Sequence, residues 1–158
     1  MQSTVIAHAL STEQRERMAT GVKQLLADTY VLYLKTQGFH WNVVGPNFIA
    51  LHELFEEQYT ELQDAIDTIA ERIRILGAFA PATFSEFRQL SSIEESPTHM
   101  DAMAMVEQLA EANEGVARTV RGLISIADDI GDESTLDLLA ARLRVHEKAA
   151  WMLRAHLA

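Results

Sequence analysis

The sequence predicts an all-α domain of four long helices, with a long crossover between the second and the third. Only three prolines and seven glycines interrupt its 158 residues, so long unbroken helices are expected. Apolar residues make up 48% of the chain and charged residues 23%, a balance typical of a globular protein. A chain of this length fits a single domain, 1–158, and we expect residues 1–10 to form a flexible N-terminal segment.

The first two helices have recognisable boundaries. Ser11 precedes Gln14 by three positions, a capping-box pattern that opens the first helix, which we expect to end near Gly38. The second helix is expected from about Pro46, in its first turn, to Leu76, because no glycine or further proline follows until Gly77. Apolar residues at helical spacing predict the buried stripes of these helices. They are Met18, Val22, Leu25, Leu26, Leu32 and Tyr33 in the first, and Leu51, Phe55, Leu62, Ile66, Ile69, Ile73 and Leu76 in the second.

The connection Gly77–Pro97 spans about twenty residues, which is too long for a simple loop between neighbouring helices of a bundle. Phe84, Phe87 and Leu90 recur within it at intervals of three. This spacing predicts a short amphipathic helix inside the crossover. The two remaining long helices are expected over about Asp101–Ala127, with Thr98 as an alternative start, and over about Glu133–His156.

Composition excludes several classes of function. The chain has no cysteine, so disulfides, thiolate metal sites and cysteine nucleophiles are absent. It contains no apolar stretch of 18 residues and does not begin with the basic and apolar pattern of a signal peptide, so we expect a cytoplasmic protein that does not enter the membrane. The net charge is −10. An acidic surface repels phosphate backbones and attracts cations, which favours metal uptake over nucleic-acid binding.

Two kinds of candidate metal ligand lie far apart on the second helix. Asp67 and Glu71 are i,i+4 neighbours on one face, whereas His52 lies about 22 Å from Asp67 along the helix axis. Two antiparallel copies of the helix, related by a two-fold axis near Tyr59 to Glu61, would bring the groups together. None of the six histidines follows a glutamate by three positions, so the Glu-x-x-His pattern of sites inside one bundle is absent. The spacing therefore predicts a site shared between subunits.

Two further residues extend this candidate site. His40 would join from the end of the first helix, brought back by the turn at Gly45 and Pro46, and Glu56 lies one helical turn after His52. Imidazole and carboxylate ligands together suit iron, zinc or manganese, and the carboxylates favour iron. From spacing alone, an ordinary solvated helix face with helix-end histidines explains the pattern equally well.

The segment FHWNVVGPNFIALHELFEEQY, followed by DAIDTIAERIRILG, closely resembles the Dps-type mini-ferritins, the DNA-binding proteins from starved cells. The resemblance implies a ferritin-like four-helix bundle whose small crossover helix lies at a two-fold interface. It also implies a ferroxidase centre shared by two subunits. Carried over residue by residue, its ligands are His40, His52, Asp67 and Glu71, with Glu56 as an additional acidic ligand.

The resemblance further implies an activity and an assembly. Such proteins bind two iron ions per intersubunit site, oxidise Fe(II) preferentially with hydrogen peroxide, and store the ferric mineral in a hollow dodecamer, which protects the cell from oxidative damage. Zinc remains open as a substitute for iron. Trp41, beside His40, is either a packing residue or an aromatic guard that absorbs stray oxidising equivalents, and the resemblance favours the guard.

The turn at 128–137 concentrates five carboxylates. One interpretation is a solvated loop in which Asp132 or Ser134 caps the last helix. In the resembling family, acids at this turn line three-fold pores that admit ferrous ions, so Asp132, Glu133 and Asp137 are the pore candidates. The two interpretations remain open at this stage.

DNA binding is less expected than iron oxidation. Members of the family that condense DNA often carry a tail rich in lysine and arginine. Here the ten residues before Ser11 contain neither, and the chain stops at Arg154-Ala-His-Leu-Ala. Direct DNA binding is therefore possible but is not expected. The alternative function that remains is a nucleoid-associated or structural shell with a vestigial metal site.

Overall fold

The computed structural model describes residue 6 and residues 9–158, and within this part of the chain it contains five helices and no strand. Four long helices form a bundle and one short helix lies in the crossover, which confirms the predicted fold class. The expected flexible segment 1–10 lies largely outside the described residues. The helices are α1 (Thr12–Asn42), α2 (Phe48–Ile75), α3 (Phe84–Leu90), α4 (Ala102–Ile130) and α5 (Glu133–Ala155).

The bundle is built from two extensive helix pairs. α1 packs along α2 and α4 packs along α5, while α1 also contacts α4 and the short α3. The predicted apolar stripes of α1 and α2 are buried except for Tyr33 and Ile66, which are half-buried. A fully buried leucine or phenylalanine such as Leu25 or Phe55 stabilises the fold by about 1.5–3 kcal/mol. Across the described residues, no helix has both the length and the apolar character needed to span a bilayer.

The predicted end of α1 is wrong and the predicted start of α2 lies two residues too early, and both differences matter for the site. α1 does not end near Gly38 but continues to Asn42, because burial of Phe39 outweighs the cost of about 1 kcal/mol for an interior glycine. α2 begins at Phe48 rather than at Pro46. Gly45 has φ +123°, a conformation that favours glycine, and it opens the tight turn that precedes α2.

The other boundaries lie close to their predicted positions. The capping box at Ser11 and Gln14 is present, and the short helix in the crossover begins with a second capping box at Thr83. α4 runs three residues beyond Ala127 to Ile130, and the residue that caps it, Gly131, adopts the left-handed conformation at φ +70°. Glycine is the usual residue at such a helix end because it lacks a Cβ.

A buried carboxylate anchors the crossover to α1. Asp28 is fully buried and accepts hydrogen bonds from the Ser92 backbone N–H at 2.6 Å and from the Ser91 hydroxyl at 3.0 Å. Burial raises the pKa of Asp28, and these hydrogen bonds partly oppose that shift. The chain that follows α3 is therefore tied directly to the first helix of the bundle.

A second buried polar network joins α2, α4 and α5. His146 is fully buried, with Nδ1 2.9 Å from the Asn113 side-chain oxygen and Nε2 3.2 Å from an Arg142 nitrogen. The amide oxygen can only accept and the guanidinium can only donate, so the ring is neutral with its proton on Nδ1. Arg142 also pairs through both terminal nitrogens with Glu61 on α2. Burial, aided by the Arg142 charge, lowers the pKa of His146 to about 3.

We predict that His146 makes the protein less stable as the pH falls below 6.5. The pKa of His146 is about 3 in the folded chain and near 6.5 in the unfolded chain, so only the unfolded chain takes up the proton between these values. The contribution of His146 to the free energy of unfolding is fully present above pH 6.5. It falls by about 2 kcal/mol between pH 6.5 and 5. In urea unfolding at pH 7.5 and pH 5, at one protein concentration, His146→Gln should lack this part of the pH dependence.

His99→Gln is the matched control, because His99 is exposed and its substitution should leave the pH dependence intact. If His146→Gln and the natural protein lose the same free energy of unfolding between the two pH values, the buried neutral state of His146 is contradicted.

Candidate metal centre

The structure brings the two predicted nitrogen ligands into direct contact. His40 lies in the last turn of α1, and His52 lies in the second turn of α2. Their rings stack with centroids 3.8 Å apart and planes inclined by 14°. The extension of α1 beyond Gly38 and the tight turn after Val43 produce this approach.

Each histidine is oriented by the backbone of the other. Nδ1 of His40 lies 2.8 Å from the carbonyl oxygen of His52, and Nδ1 of His52 lies 2.8 Å from the carbonyl oxygen of His40. Because a carbonyl oxygen only accepts, each Nδ1 carries the proton and donates it. In the neutral form of each ring the unprotonated nitrogen is therefore Nε2, which is the atom that a metal-binding histidine offers when its other nitrogen is bonded in this way.

Aromatic side chains hold the histidine pair in place. The ring of Phe48 stacks on His52 with centroids 5.0 Å apart and an angle of 28°. The ring of Tyr59 meets His40 edge to face at 5.1 Å. His40 is buried, with only 7% of its surface exposed, and His52 is half-buried. Packing and hydrogen bonds thus fix the positions of the two imidazoles.

Two of the three candidate oxygen ligands, Asp67 and Glu71, lie far along α2 from His52. Glu56, Asp67 and Glu71 are exposed along α2, and in the described ranges none of them forms an ion pair. Nor do the described residues contain any group of three or more His, Asp or Glu side chains placed to hold one ion. Asp67 lies about 22 Å along the helix from His52. One chain therefore offers a nitrogen pair and a carboxylate pair at separate places, and the shared site remains a prediction.

Trp41 is 62% exposed and lines a groove of about 1280 Å³ between α1 and the crossover, together with Leu34 and Phe84. Burial in the core of this chain therefore does not account for Trp41. Its role as a guard against oxidising equivalents remains a prediction.

In the acidic turn at 128–137, one carboxylate is buried and the other four are exposed. Asp132 is 4% exposed, caps α5 by accepting the Thr135 N–H at 3.1 Å, and pairs with Arg72 at 2.7 Å. Burial alone would raise the pKa of Asp132, but the hydrogen bonds from Thr135 and Arg72 outweigh it and the pKa lies below its usual value. The capping interpretation is confirmed for Asp132. Glu133 and Asp137 are exposed, and their role in a pore remains a prediction.

Sequence reasoning missed Arg72 as a structural residue. It lies near the end of α2 and is 9% exposed, and its Nε donates to the Thr135 hydroxyl at 2.7 Å while its guanidinium pairs with Asp132. In the sequence Arg72 looks like one charge among several on a solvated helix. No local signal links it to a turn some sixty positions later, so only the folded arrangement identifies the pair.

Comparison with known proteins agrees with this fold. The Ferritin-like domain family matches residues 20–158. DNA protection during starvation protein 2 of Bacillus anthracis is 44% identical over 132 residues, 84% of this chain and 90% of that protein. A DNA protection during starvation protein of Brevibacillus brevis is 37% identical over 148 residues, covering 94% and 99% of the two chains.

The structural comparison gives the same result. A Dps protein from Vibrio cholerae O1, described as a member of a broad superfamily of ferritin-like diiron-carboxylate proteins, superimposes with a TM-score of 0.93. The match covers 100% of this chain and 99% of that one at 34% identity. The chain therefore belongs to the ferritin-like family and, within it, to the Dps-type mini-ferritins.

We predict that Asp132→Ala lowers the free energy of unfolding by about 3 kcal/mol, because it removes a helix cap and leaves the buried Arg72 guanidinium unpaired. Asp137→Ala is the matched control on the same helix, and as an exposed side chain it should change stability by no more than about 0.5 kcal/mol. Urea unfolding of both variants at equal protein concentration measures the difference. Equal stabilities would contradict the structural role of Asp132.

Proposed function

We propose that this protein oxidises Fe(II) and stores the ferric product as a mineral within a homo-oligomeric shell, protecting the cell from oxidative damage. The observation that carries the proposal is the His40–His52 pair, in which two stacked imidazoles each donate Nδ1–H to the carbonyl of the other. In the neutral rings this arrangement leaves Nε2 of each histidine as the nitrogen that can bind a metal. A helix contact that served packing alone would not need two imidazoles whose Nδ1 atoms are both bonded to backbone carbonyls.

We infer that the centre is completed by a second copy of the chain. His40 and His52 of one subunit, with Glu56 nearby, would face the partner subunit's Asp67 and the partner subunit's Glu71. Support comes from the exposure of these carboxylates and from the length of α2, which keeps them away from the histidines of their own chain. A two-fold axis would generate two such centres from one antiparallel pair of α2 helices.

The chemistry of the residues suits iron as the substrate. Imidazole nitrogens and carboxylate oxygens bind Fe(II), and carboxylates stabilise the additional positive charge of Fe(III). With two ferrous ions in the centre, hydrogen peroxide takes one electron from each, and with two protons it becomes two water molecules. Because both oxygen atoms of peroxide end in water, no hydroxyl radical is released. Zinc suits the same donors but cannot change oxidation state, so it would compete with iron without supporting the reaction.

Storage needs an enclosed acidic space and a route into it. We propose a dodecamer, as in the family that the sequence resembles, in which the net charge of −10 per chain attracts cations. Glu133 and Asp137 are the proposed lining of the entry pores. Asp132 is left out because Arg72 and Thr135 occupy its carboxylate. We place the activity in the cytoplasm, where Fe(II) and peroxide meet.

The alternative is a DNA-binding or structural shell with a vestigial metal site. The names of the two bacterial relatives refer to DNA protection, which leaves open whether protection works through binding or through removal of iron and peroxide. Phosphate contacts require Lys and Arg, and here thirteen such residues face twenty-three acidic ones. We therefore favour protection through iron oxidation, and direct DNA binding is not part of the proposal.

We predict that His52→Ala lowers the affinity for Fe(II), and the rate of its oxidation at limiting iron, about tenfold or more, because loss of one nitrogen ligand also removes the hydrogen bond that orients His40. The measurement is the near-ultraviolet absorbance of ferric product after peroxide is added to Fe(II)-loaded protein. His99→Ala, an exposed histidine distant in sequence from the centre, is the control and should match the natural protein. Equal rates for His52→Ala and the natural protein would favour the structural shell.

A further inference from the structure

A cavity of about 140 Å³ lies between α2 and α5, on the side of the bundle where these two helices touch only sparsely. We call it the α2–α5 cavity. Leu54 and Leu62 line it from α2, and Ala149 and Met152 line it from α5. An engineered apolar cavity of about 150 Å³ in another protein binds benzene. The α2–α5 cavity therefore has room for one molecule of that size.

Buried polar side chains line another part of the same cavity. Asn113 is 3% exposed, and His146 is fully buried. Burial also lowers the pKa of His146 to about 3. Apolar walls, a few convergent polar groups and a residue with a displaced pKa are together typical of a small-molecule site.

Two buried donors around the cavity have no acceptor. Nε2 of Gln58, a lining residue, forms no hydrogen bond, and neither does Nε of Arg142. The terminal nitrogens of Arg142 bond Glu61 and His146, which both line the cavity. A buried N–H without a partner costs about 1–3 kcal/mol. A ligand that offered an acceptor to Gln58 would remove this cost.

Water alone suits this space poorly. The cavity would take about four or five water molecules at about 30 Å³ each, and a buried water forms about three hydrogen bonds. Most polar groups there are already bonded. The Asn113 amide donates to the Leu109 carbonyl and accepts from His146, and Arg142 bonds His146 and both oxygens of Glu61. One molecule with an apolar body leaves fewer unpaired groups than a cluster of waters.

The charges around the cavity are already paired or exposed. Arg142 and Glu61 neutralise each other, and His146 is neutral. Glu57 and Lys148, which carry opposite charges, are exposed at the edge of the cavity. A charged ligand would lose its hydration without gaining a free counter-charge. The cavity therefore suits an uncharged molecule, which can enter at the exposed edge.

We propose that the α2–α5 cavity is a binding site for one small uncharged alcohol or phenol. The apolar part of the ligand packs between Leu54, Leu62 and Met152, and its oxygen accepts the hydrogen bond that Gln58 Nε2 offers. None of the five candidate metal ligands, all of them among the described residues, lines this cavity. The inference therefore does not rest on the proposed function.

The test compares phenol with benzene, which has the same ring and no oxygen. Saturation-transfer nuclear magnetic resonance on the assembled full-length protein measures the affinity for each probe by titration. The natural protein should bind phenol saturably and several-fold more tightly than benzene. Gln58→Leu keeps a side chain of similar size and removes the donor. It should bind phenol several-fold more weakly than the natural protein does and bind benzene as before.

A second variant tests the place of binding. Ala149→Leu fills the cavity without removing a polar group, so its affinity for both probes should fall tenfold or more. Ala155→Leu is the matched control, because Ala155 is exposed on the same helix and does not line the cavity. It should bind both probes as the natural protein does. If circular dichroism shows that Ala149→Leu is unfolded, Gln58→Leu decides.

Three results would overturn the proposal. The natural protein could fail to bind phenol saturably, which would exclude the site. It could bind benzene as tightly as phenol, which would exclude recognition of the oxygen. Unchanged phenol binding in Gln58→Leu or in folded Ala149→Leu would place the probe outside the α2–α5 cavity.

Discussion

The structure depends on the stiffness of α2, a single helix of 28 residues and about 42 Å in length. Such a helix cannot fold back to bring the carboxylates near its end to the histidine near its beginning. Contacts with other helices of the same chain hold both ends of α2 in place. At the beginning, His52 exchanges hydrogen bonds with His40, and near the end Arg72 pairs with the buried Asp132. The two histidines are thus held in place, while Asp67 and Glu71 remain exposed.

The sequence predicted the fold class and most of the helices because their signals are local. Apolar periodicity, the capping box at Ser11 and the glycine at position 131 each act within one or two turns, and the structure confirms them. The approach of His40 to His52 was expected from the short Gly45-Pro46 turn. The close stacking of the two rings depends on where α1 ends and where α2 begins. The predicted end of α1 was wrong, and the predicted start of α2 lay two residues too early. Burial of side chains and backbone geometry set those boundaries, and the helix propensities of single residues do not include either effect.

Other features could not be predicted because they depend on contacts between residues far apart in sequence. The reciprocal bonds of the histidine pair use backbone carbonyls, which leave no mark in a sequence. The spacing of Tyr30 and Tyr33 on one helix face is visible in the sequence, but their alignment with Tyr59 depends on how α1 packs on α2. The same packing determines which aromatic rings lie beside a metal ligand and which remain at the surface.

The central claim is that each centre takes its nitrogen and oxygen donors from different subunits, and mixed assembly tests it most directly. A His40→Ala/His52→Ala variant and an Asp67→Ala/Glu71→Ala variant should each fail to oxidise Fe(II). After dissociation and joint reassembly in equal amounts, about half of the two-fold pairs are mixed and each mixed pair regains one intact centre, so about a quarter of the natural activity should return. If subunit mixing is confirmed by mass spectrometry and no activity returns, the shared centre is contradicted.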